Sequence, residues 1–507
     1  MARRWIGAAA LAAAAIACTT ATPTPAPTHQ PSPRATTAPA PSSTLTATSS
    51  PAPSPELVAL VPVVGFWSTR STIARTELDA AMAGTSRSYV RVLVAGTLPG
   101  ATAASPDAIR AAVNADPRTL GLLPAGEVTP DVRALAMDGV DLFGNGRIHE
   151  VAAWPLLVPA APGTDPPSFD PATTWTLVAG GDVMLDRSIY RRTVRQGKGA
   201  DYLWEGGFAE ITGRRCCTAA GGRLPVVRQT GQAGALRDLF QDADLALVDL
   251  EGPAIDAFRW HPRGLTFTFD PALLVGLQHA GIDVVTIANN HIGNADPDGV
   301  TETIRHLDAL GIAHVGAGRD DATARAPAWF DIAGQRIALF GYDSVRPADN
   351  ATASQAGSAG LVSANYRSDI ASAREAGADV VVVLPHWGVE YTAVPTSEQR
   401  GHAQALAAAG TTVILGSHSH PAGAMELIDG RPVLYSLGNL IFDLTRSEET
   451  VEGLIVEITF VGARPTQIRL HPTVMVDLVQ PNLLETTADG AVVIERVRDA
   501  SEALVGG

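Results

Sequence analysis

The chain has 507 residues, is 46% hydrophobic but only 5% aromatic, and carries a formal net charge of -15. That length allows two or three domains and a substantial core. The acidic balance, with no lysine- or arginine-rich block, excludes a general nucleic-acid binder, which needs basic surface to meet phosphates.

The N-terminus reads as a targeting segment. Arg3 and Arg4 precede an apolar run from Ile6 to Ala17, and Cys18 follows. A basic start, a short apolar stretch and small residues at its end make a secretory signal, too short for a membrane span. Ala15-Ile16-Ala17-Cys18 resembles a bacterial lipobox, with alanine in place of the usual leucine at its first position. Residues 1–18 are therefore expected to be a signal peptide with lipidation at Cys18, and ordinary signal cleavage nearby is the alternative. Residues 19–55 are almost wholly Thr, Pro, Ala and Ser. Such a segment builds no core and reads as an extended tether. The expected location is the outer face of the cytoplasmic membrane or the cell envelope, with the lipid as anchor.

A small α/β domain is expected over 56–162. Strand patterns at 61–66, 89–94 and 120–124 alternate with helical patterns at 77–83 and 106–113. Thr129-Pro130-Asp131 predicts another helix start, with Thr129 as N-cap and Pro130 at the first helical position. Residues 139–150 carry Asp141, Asn145 and Gly146 in the manner of a calcium loop, but Phe143 stands where such a loop needs an oxygen and no glutamate closes it. The order Val-Pro-Val-Val-Gly-Phe, Arg-Ala-Ala-Val, Leu-Gly-Leu-Leu-Pro and Trp-Pro-Leu-Leu-Val-Pro resembles part of a periplasmic phosphate-type solute-binding domain.

Residues 163–174, rich in Pro, Asp and Thr, read as a second linker. A large domain is expected over 175–480 and a C-terminal tail over 481–507. Strand patterns fall at 175–179, 245–248, 284–287, 314–315, 337–340, 380–384, 413–415 and 433–435. Helical patterns at 273–280, 298–310, 369–376 and 399–409 lie between several of them, which argues for βαβ units. From 453 to 470 the pattern shifts to strands separated by a short turn. Cys216 and Cys217 are neighbours without zinc spacing, and the strained ring of a vicinal bridge favours a thiol pair.

In the large domain polar residues repeatedly follow strand ends. Gly180-Gly181-Asp182 follows the first strand, Asp249-Leu250-Glu251 the second and Asn289-Asn290-His291 the third. Pro385-His386-Trp387-Gly388 and Gly416-Ser417-His418-Ser419-His420 follow later ones. The C-terminal edge of an α/β sheet is where ligands bind. Each case also has a plainer reading: Asp182 as a helix cap, Glu251 as a solvated turn residue, Asn290-His291 as a helix entry, His386 as a packed loop residue. Together, Asp, Glu, Asn and three His form a mixed oxygen and nitrogen donor set with no thiolate. That set suits one or two divalent ions of the Mn, Fe or Zn type.

These motifs, with His386-Trp387-Gly388-Val389-Glu390-Tyr391 and Ser436-Leu437-Gly438-Asn439-Leu440-Ile441-Phe442-Asp443, resemble the CapA family of capsule and poly-γ-glutamate biosynthesis proteins. That family is similar to the calcineurin-like metallophosphoesterases. The resemblance implies an α/β fold, a four-layer α/β/β/α metallophosphatase-like sandwich, here preceded by the small α/β domain. It implies Asp182, Glu251, Asn290, His386, His418 and His420 as metal ligands, with Glu251 where a bridging aspartate is expected. His291 takes the place of a catalytic acid or electrostatic partner, and Trp387, Glu390, Tyr391 and Asn439 are expected at the substrate. Met184 stands where the first motif normally carries a histidine. The implied partners are an anionic polymer, such as poly-γ-glutamate or another envelope polymer, and capsule-synthesis membrane proteins. Two functions compete: a metal-dependent hydrolase, or a non-catalytic metal- or polymer-binding component of envelope assembly. Met184 favours the second, and the Asn290-His291 pair favours the first.

Overall fold

Period-two alternation along the strands decides the layers. In the computed structural model of the protein, which describes residues 57–160, 169–218 and 221–504, two large sheets stack face to face. The first centres on Thr174–Val183, with Leu245–Leu250, Val284–Thr286 and Ala313–Val315 added in parallel on one side. On its other side Glu452–Val461, Arg464–Val476 and Gln480–Leu484 continue antiparallel. The second sheet runs parallel through Gln335–Asp343, Val380–His386, Val413–Leu415 and Arg431–Leu434. Leu177, Leu247, Val284, Leu339, Val382 and Leu415 point into a shared core between the sheets. Their neighbours Val178, Ala246, Val248 and Val285 turn outward onto Phe240, Leu277, Val300 and Leu307 of the first helical layer. On the far side Phe340, Val381, Val383 and Ile414 meet Tyr366, Ile370 and Leu406. The result is a four-layer α/β/β/α sandwich.

Residues 57–159 add a sheet of their own, ordered Thr102–Ala103, Arg91–Val94, Thr119–Pro124, Leu57–Gly65 and Val132–Ala134, with Leu157–Pro159 also on Leu57–Gly65. Helix Pro106–Ala115 covers it through Ile109 and Val113, and the Ser105 hydroxyl caps that helix by accepting from Ala108 N. The described part of Leu57–Gly507 forms one compact unit. The loop from Asp141 to Arg147 ties the small sheet to the large one. Gly144 N donates to Thr459 Oγ1 at 2.9 Å and Asn145 N to Glu457 Oε1 at 3.0 Å. Asp141 is gripped by both terminal nitrogens of Arg469, at 2.7 and 2.9 Å, and His471 Nε2 lies 3.0 Å from Glu457 Oε2.

Three local expectations change. Thr129-Pro130-Asp131 opens a turn, not a helix: Val132 N bonds back to Thr129 O at 3.2 Å, and the buried Val132–Ala134 then pairs with Leu57–Gly65. Strand pairing outweighs the local helix-start signal there. Residues 481–504 are no tail, because Gln480–Leu484 joins the large sheet and helix Asp489–Glu502 buries Val493, Ile494 and Val497. Cys216 and Cys217, both exposed, form a disulfide with each other instead of a thiol pair. The expected signal peptide 1–18 with Cys18, the tether 19–55 and most of the linker 163–174 lie outside the described residues.

Candidate metal centre

The centre forms where the C-terminal ends of both parallel strand sets meet. Asp182 belongs to the strand itself, not to the loop after it, because Asn439–Ile441 extends the pairing of Thr174–Val183. The two backbones approach so closely that a Cβ on Gly181 would overlap the Gly438 carbonyl oxygen. Asp249 and Glu251 close the next strand, two residues apart and both buried. The His-x-His turn is held in unusual backbone: His418 has φ +92° and His420 φ +71°. A left-handed conformation is costly for a non-glycine residue and is retained where surrounding structure imposes it, commonly at functional sites.

The six expected ligands gather into two adjoining triads. Asp182, Glu251 and His420 each offer a donor atom, and these atoms lie within 4.8 Å of one another. In the second triad His386 Nε2 lies 2.8 Å from Asn290 Oδ1 and 3.1 Å from His418 Nδ1. Asp182, Asp249 and His386 also fall within 4.8 Å, but the oxygens of Asp249 are already engaged. Its Oδ2 is 2.8 Å from His386 Nδ1, and its Oδ1 accepts from Asn289 Nδ2 at 3.1 Å. That is the arrangement of a carboxylate that orients a histidine and leaves the other ring nitrogen for a metal. Asn439 serves His420 likewise, its Oδ1 lying 2.9 Å from His420 Nδ1.

Asp182 and Glu251 are different. Both are fully buried, and none of their four carboxylate oxygens accepts a hydrogen bond, although His420 Nδ1 lies 3.2 Å from Asp182 Oδ2. An uncompensated buried carboxylate is expensive. Burial, then the charges of Asp182, Asp249 and Glu390, push the Glu251 carboxyl well above the usual range. Burial holds the imidazole of His418 down to about 2, aided by His386 and His420, so it presents neutral nitrogen. Burial alone would lower His386 too, but the Asp249 charge and hydrogen bond raise it. Imidazole nitrogens, neutral at His418, with an amide oxygen and unpaired carboxylates fit a divalent ion of the Mn, Fe or Zn type.

His291 enters neither triad. Its Nε2 lies 3.7 Å from Glu251 Oε1, its Nδ1 3.0 Å from Asn294 Oδ1, and its ring centroid lies 4.1 Å from that of Phe267 with the planes tilted by 37°. Burial lowers it to about 4. Met184 is buried, and its sulfur takes the Asp186 N–H at 3.1 Å.

The four residues expected at the substrate divide. Tyr391, half-buried at φ +66°, sits 5.8 Å from the His420 ring with the Arg446 guanidinium 4.1 Å above it, and Glu390 is exposed beside it. Trp387 is not at the substrate. It is 1% exposed, packs on Tyr435 and donates its Nε1 hydrogen to Tyr435 O at 3.0 Å. Asn439, 1% exposed, holds His420 and donates to Thr450 O. Sequence reasoning missed Asp249, although the i, i+2 spacing of Asp249 and Glu251 on a strand puts both on one face.

Residues 176–444, more than half of the chain, match the family described as bacterial capsule synthesis protein PGA_cap. The capsule biosynthesis protein CapA of Bacillus anthracis is 29% identical over 213 residues, which cover 41% of this chain and 50% of that protein. The PGA biosynthesis protein CapA of Bacillus subtilis is 32% identical over 170 residues, covering 33% of this chain and 44% of its relative. This chain thus spans about half the length of those two relatives. Among solved structures, the calcineurin-like phosphoesterase YfkN of Bacillus subtilis is similar at a TM-score of 0.34 and 13% identity, covering 64% of this chain and 99% of that one. On the extent of the family match, the chain belongs to the bacterial capsule synthesis protein PGA_cap family.

Proposed function

We propose that the protein is a metal-dependent hydrolase of the cell envelope that acts in the synthesis or export of capsule or poly-γ-glutamate. One observation carries the metal: the buried carboxylates of Asp182 and Glu251 accept no hydrogen bond and face His420. Asp182, Glu251 and His420 would hold one ion, and Asn290, His386 and His418 a second. A bound divalent ion supplies Lewis acidity and a water activated at neutral pH. The chain's own residues do the rest. Asp249 and Asn439 fix the rings of His386 and His420. His291, turned by Asn294 and Phe267, stands where it can hold or give up a proton at Nε2 without binding metal itself. Membrane attachment through a lipid on Cys18, a location outside the cytoplasm and an anionic envelope polymer as partner complete the proposal. They rest on the sequence of residues 1–55 and on the relatives' names.

Met184 supports a second reading, in which the centre binds polymer without turning it over. Its sulfur is committed to Asp186 N, so that position gives no ligand. The test is elemental analysis of the purified full chain beside a His418→Ala, His420→Ala variant, then turnover on phosphodiesters and γ-glutamyl peptides. Metal in the wild type and loss in the variant is expected. Equal metal content in both would place the ion elsewhere. Metal without turnover on either substrate class would select the second reading.

A further inference from the structure

Arg187 is held in an expensive position. It lies in left-handed backbone at φ +51°, with its N–H capped by Asp186 Oδ1 at 2.7 Å and its side chain 13% exposed. The guanidinium sits 4.8 Å over the Phe267 ring and 5.3 Å over the Phe442 ring. Those rings are the ones that touch the centre: Phe267 lies 4.1 Å from the His291 ring and Phe442 4.9 Å from the His420 ring. The positive charge of Arg187 is felt at both Glu251 and His291.

Its surroundings keep it rigid. Asp186, fully buried, takes His261 Nδ1 at 2.6 Å and the backbone N–H of His261 and Thr268. Trp260 Nε1 donates to Arg187 O at 2.8 Å. The segment 260–268 is thereby strapped over Arg187. At the tip, Nη2 lies 2.6 Å from Asp443 Oδ1 and Nη1 donates to Gly264 O at 3.3 Å. Nε and Nη2 are both buried with no hydrogen-bond partner, and the Asp443 contact is an ion pair only. A planar guanidinium seated against two mutually perpendicular aromatic rings has its edge left for oxygen acceptors, and two donors on that edge lack a hydrogen-bond partner.

We infer that Arg187 is a substrate-binding residue that receives an oxyanion, a phosphate or a carboxylate group, of the molecule bound at the metal centre. This rests on the metal reading above. The preorganised fork fixes the anion beside His291 and Glu251. A purely structural Arg187–Asp443 pair would need neither the open Nε nor the two rings shared with the site histidines.

The test uses the metal-loaded full chain, titrated calorimetrically with inorganic phosphate and separately with free glutamate. Arg187→Gln and Arg187→Lys should each weaken the bound anion at least about tenfold, at unchanged metal content; the lysine keeps the charge but loses the fork. The anion that shows this loss identifies the group, phosphate or carboxylate. Asp443→Asn, which keeps the shape, should bind the anion within a few-fold of wild type. Unchanged affinity in both Arg187 variants, or no anion binding by the metal-loaded wild type, overturns the inference. So does an Asp443→Asn loss as large as that of the Arg187 variants, because the pair then acts only on structure. Absence of metal from the wild type would instead overturn the metal reading.

Discussion

Two buried acidic clusters share one sheet and have opposite fates. Glu457 pairs with Val178 across adjacent strands, and Asp182 lies four residues further along the second of these. Glu457 is closed: Asn145 N reaches one oxygen, His471 the other, and Arg469 lies 3.7 Å away while gripping Asp141. Asp182 and Glu251 are open, with four oxygens and no hydrogen-bond donor among them. The residue types are alike, so chemistry is distinguished by satisfaction. A completed cluster joins parts of the fold, and an uncompleted one awaits a ligand.

The sharpest way to break the closed cluster is Arg469→Ala. It leaves Asp141 and Glu457 without their cation, and because the network is partly solvated the expected loss is roughly 2–3 kcal/mol. Chemical unfolding of the full chain measures it, and a loss under about 0.5 kcal/mol would mark an ordinary surface pair. Metal content should not change.

Acid should do the same reversibly. Burial would raise Glu457, but the His471 hydrogen bond and the Arg469 charge bring it from 4.5 to about 2. The unfolded chain therefore takes up this proton first. The contribution of Glu457 is complete above about pH 4.5 and fades as pH falls toward 2, and it amounts to roughly 3 kcal/mol. Comparing unfolding of Glu457→Gln with wild type at pH 6 and pH 3 isolates it. The gap between the two proteins should narrow at the lower pH.

Within the open cluster, His291→Ala separates chemistry from binding. Metal content should hold while any hydrolytic rate drops about a hundredfold, whereas Asn290→Ala should lose metal. Metal loss in His291→Ala would make it a ligand. The smallest expected effect has the opposite sign to the first. Glu251→Gln removes a buried carboxyl whose ionisation burial and its acidic neighbours oppose, so it should raise stability in chelator by about 1 kcal/mol and lower it in the presence of metal. Melting with and without chelator reads both.

Much of this was legible in the sequence. The parallel strands were visible because residues buried on both faces read as apolar runs, such as Val380–His386 ending in its histidine. Their ends were visible because polar groups follow them abruptly. What failed was local. Trp387 was placed at the substrate with its neighbour His386, yet successive strand residues face opposite ways, and the indole turns into the helix-side core. Thr129 signalled a helix, and pairing with Leu57–Gly65 overrode it. Arg187, Phe267 and Phe442 carried no periodic signal. Phe267 reaches Arg187 because the 260–268 segment folds back on Asp186, a contact 75 residues long in the chain, and Phe442 arrives from the other side just after the strand that pairs with Thr174–Val183.

The loop from Asp141 to Arg147 also sets a timetable. Its bond from Asn145 to Glu457 spans 312 residues, and the strand that carries Asp182 takes Glu452–Val461 as a direct neighbour. A chain emerging from its N-terminus can complete neither contact until almost all of it is available. Contacts this distant slow folding, because loop closure is costly before it is rewarded. The strand that carries Asp182 therefore gains its last direct neighbour only when residues 452–461 are available.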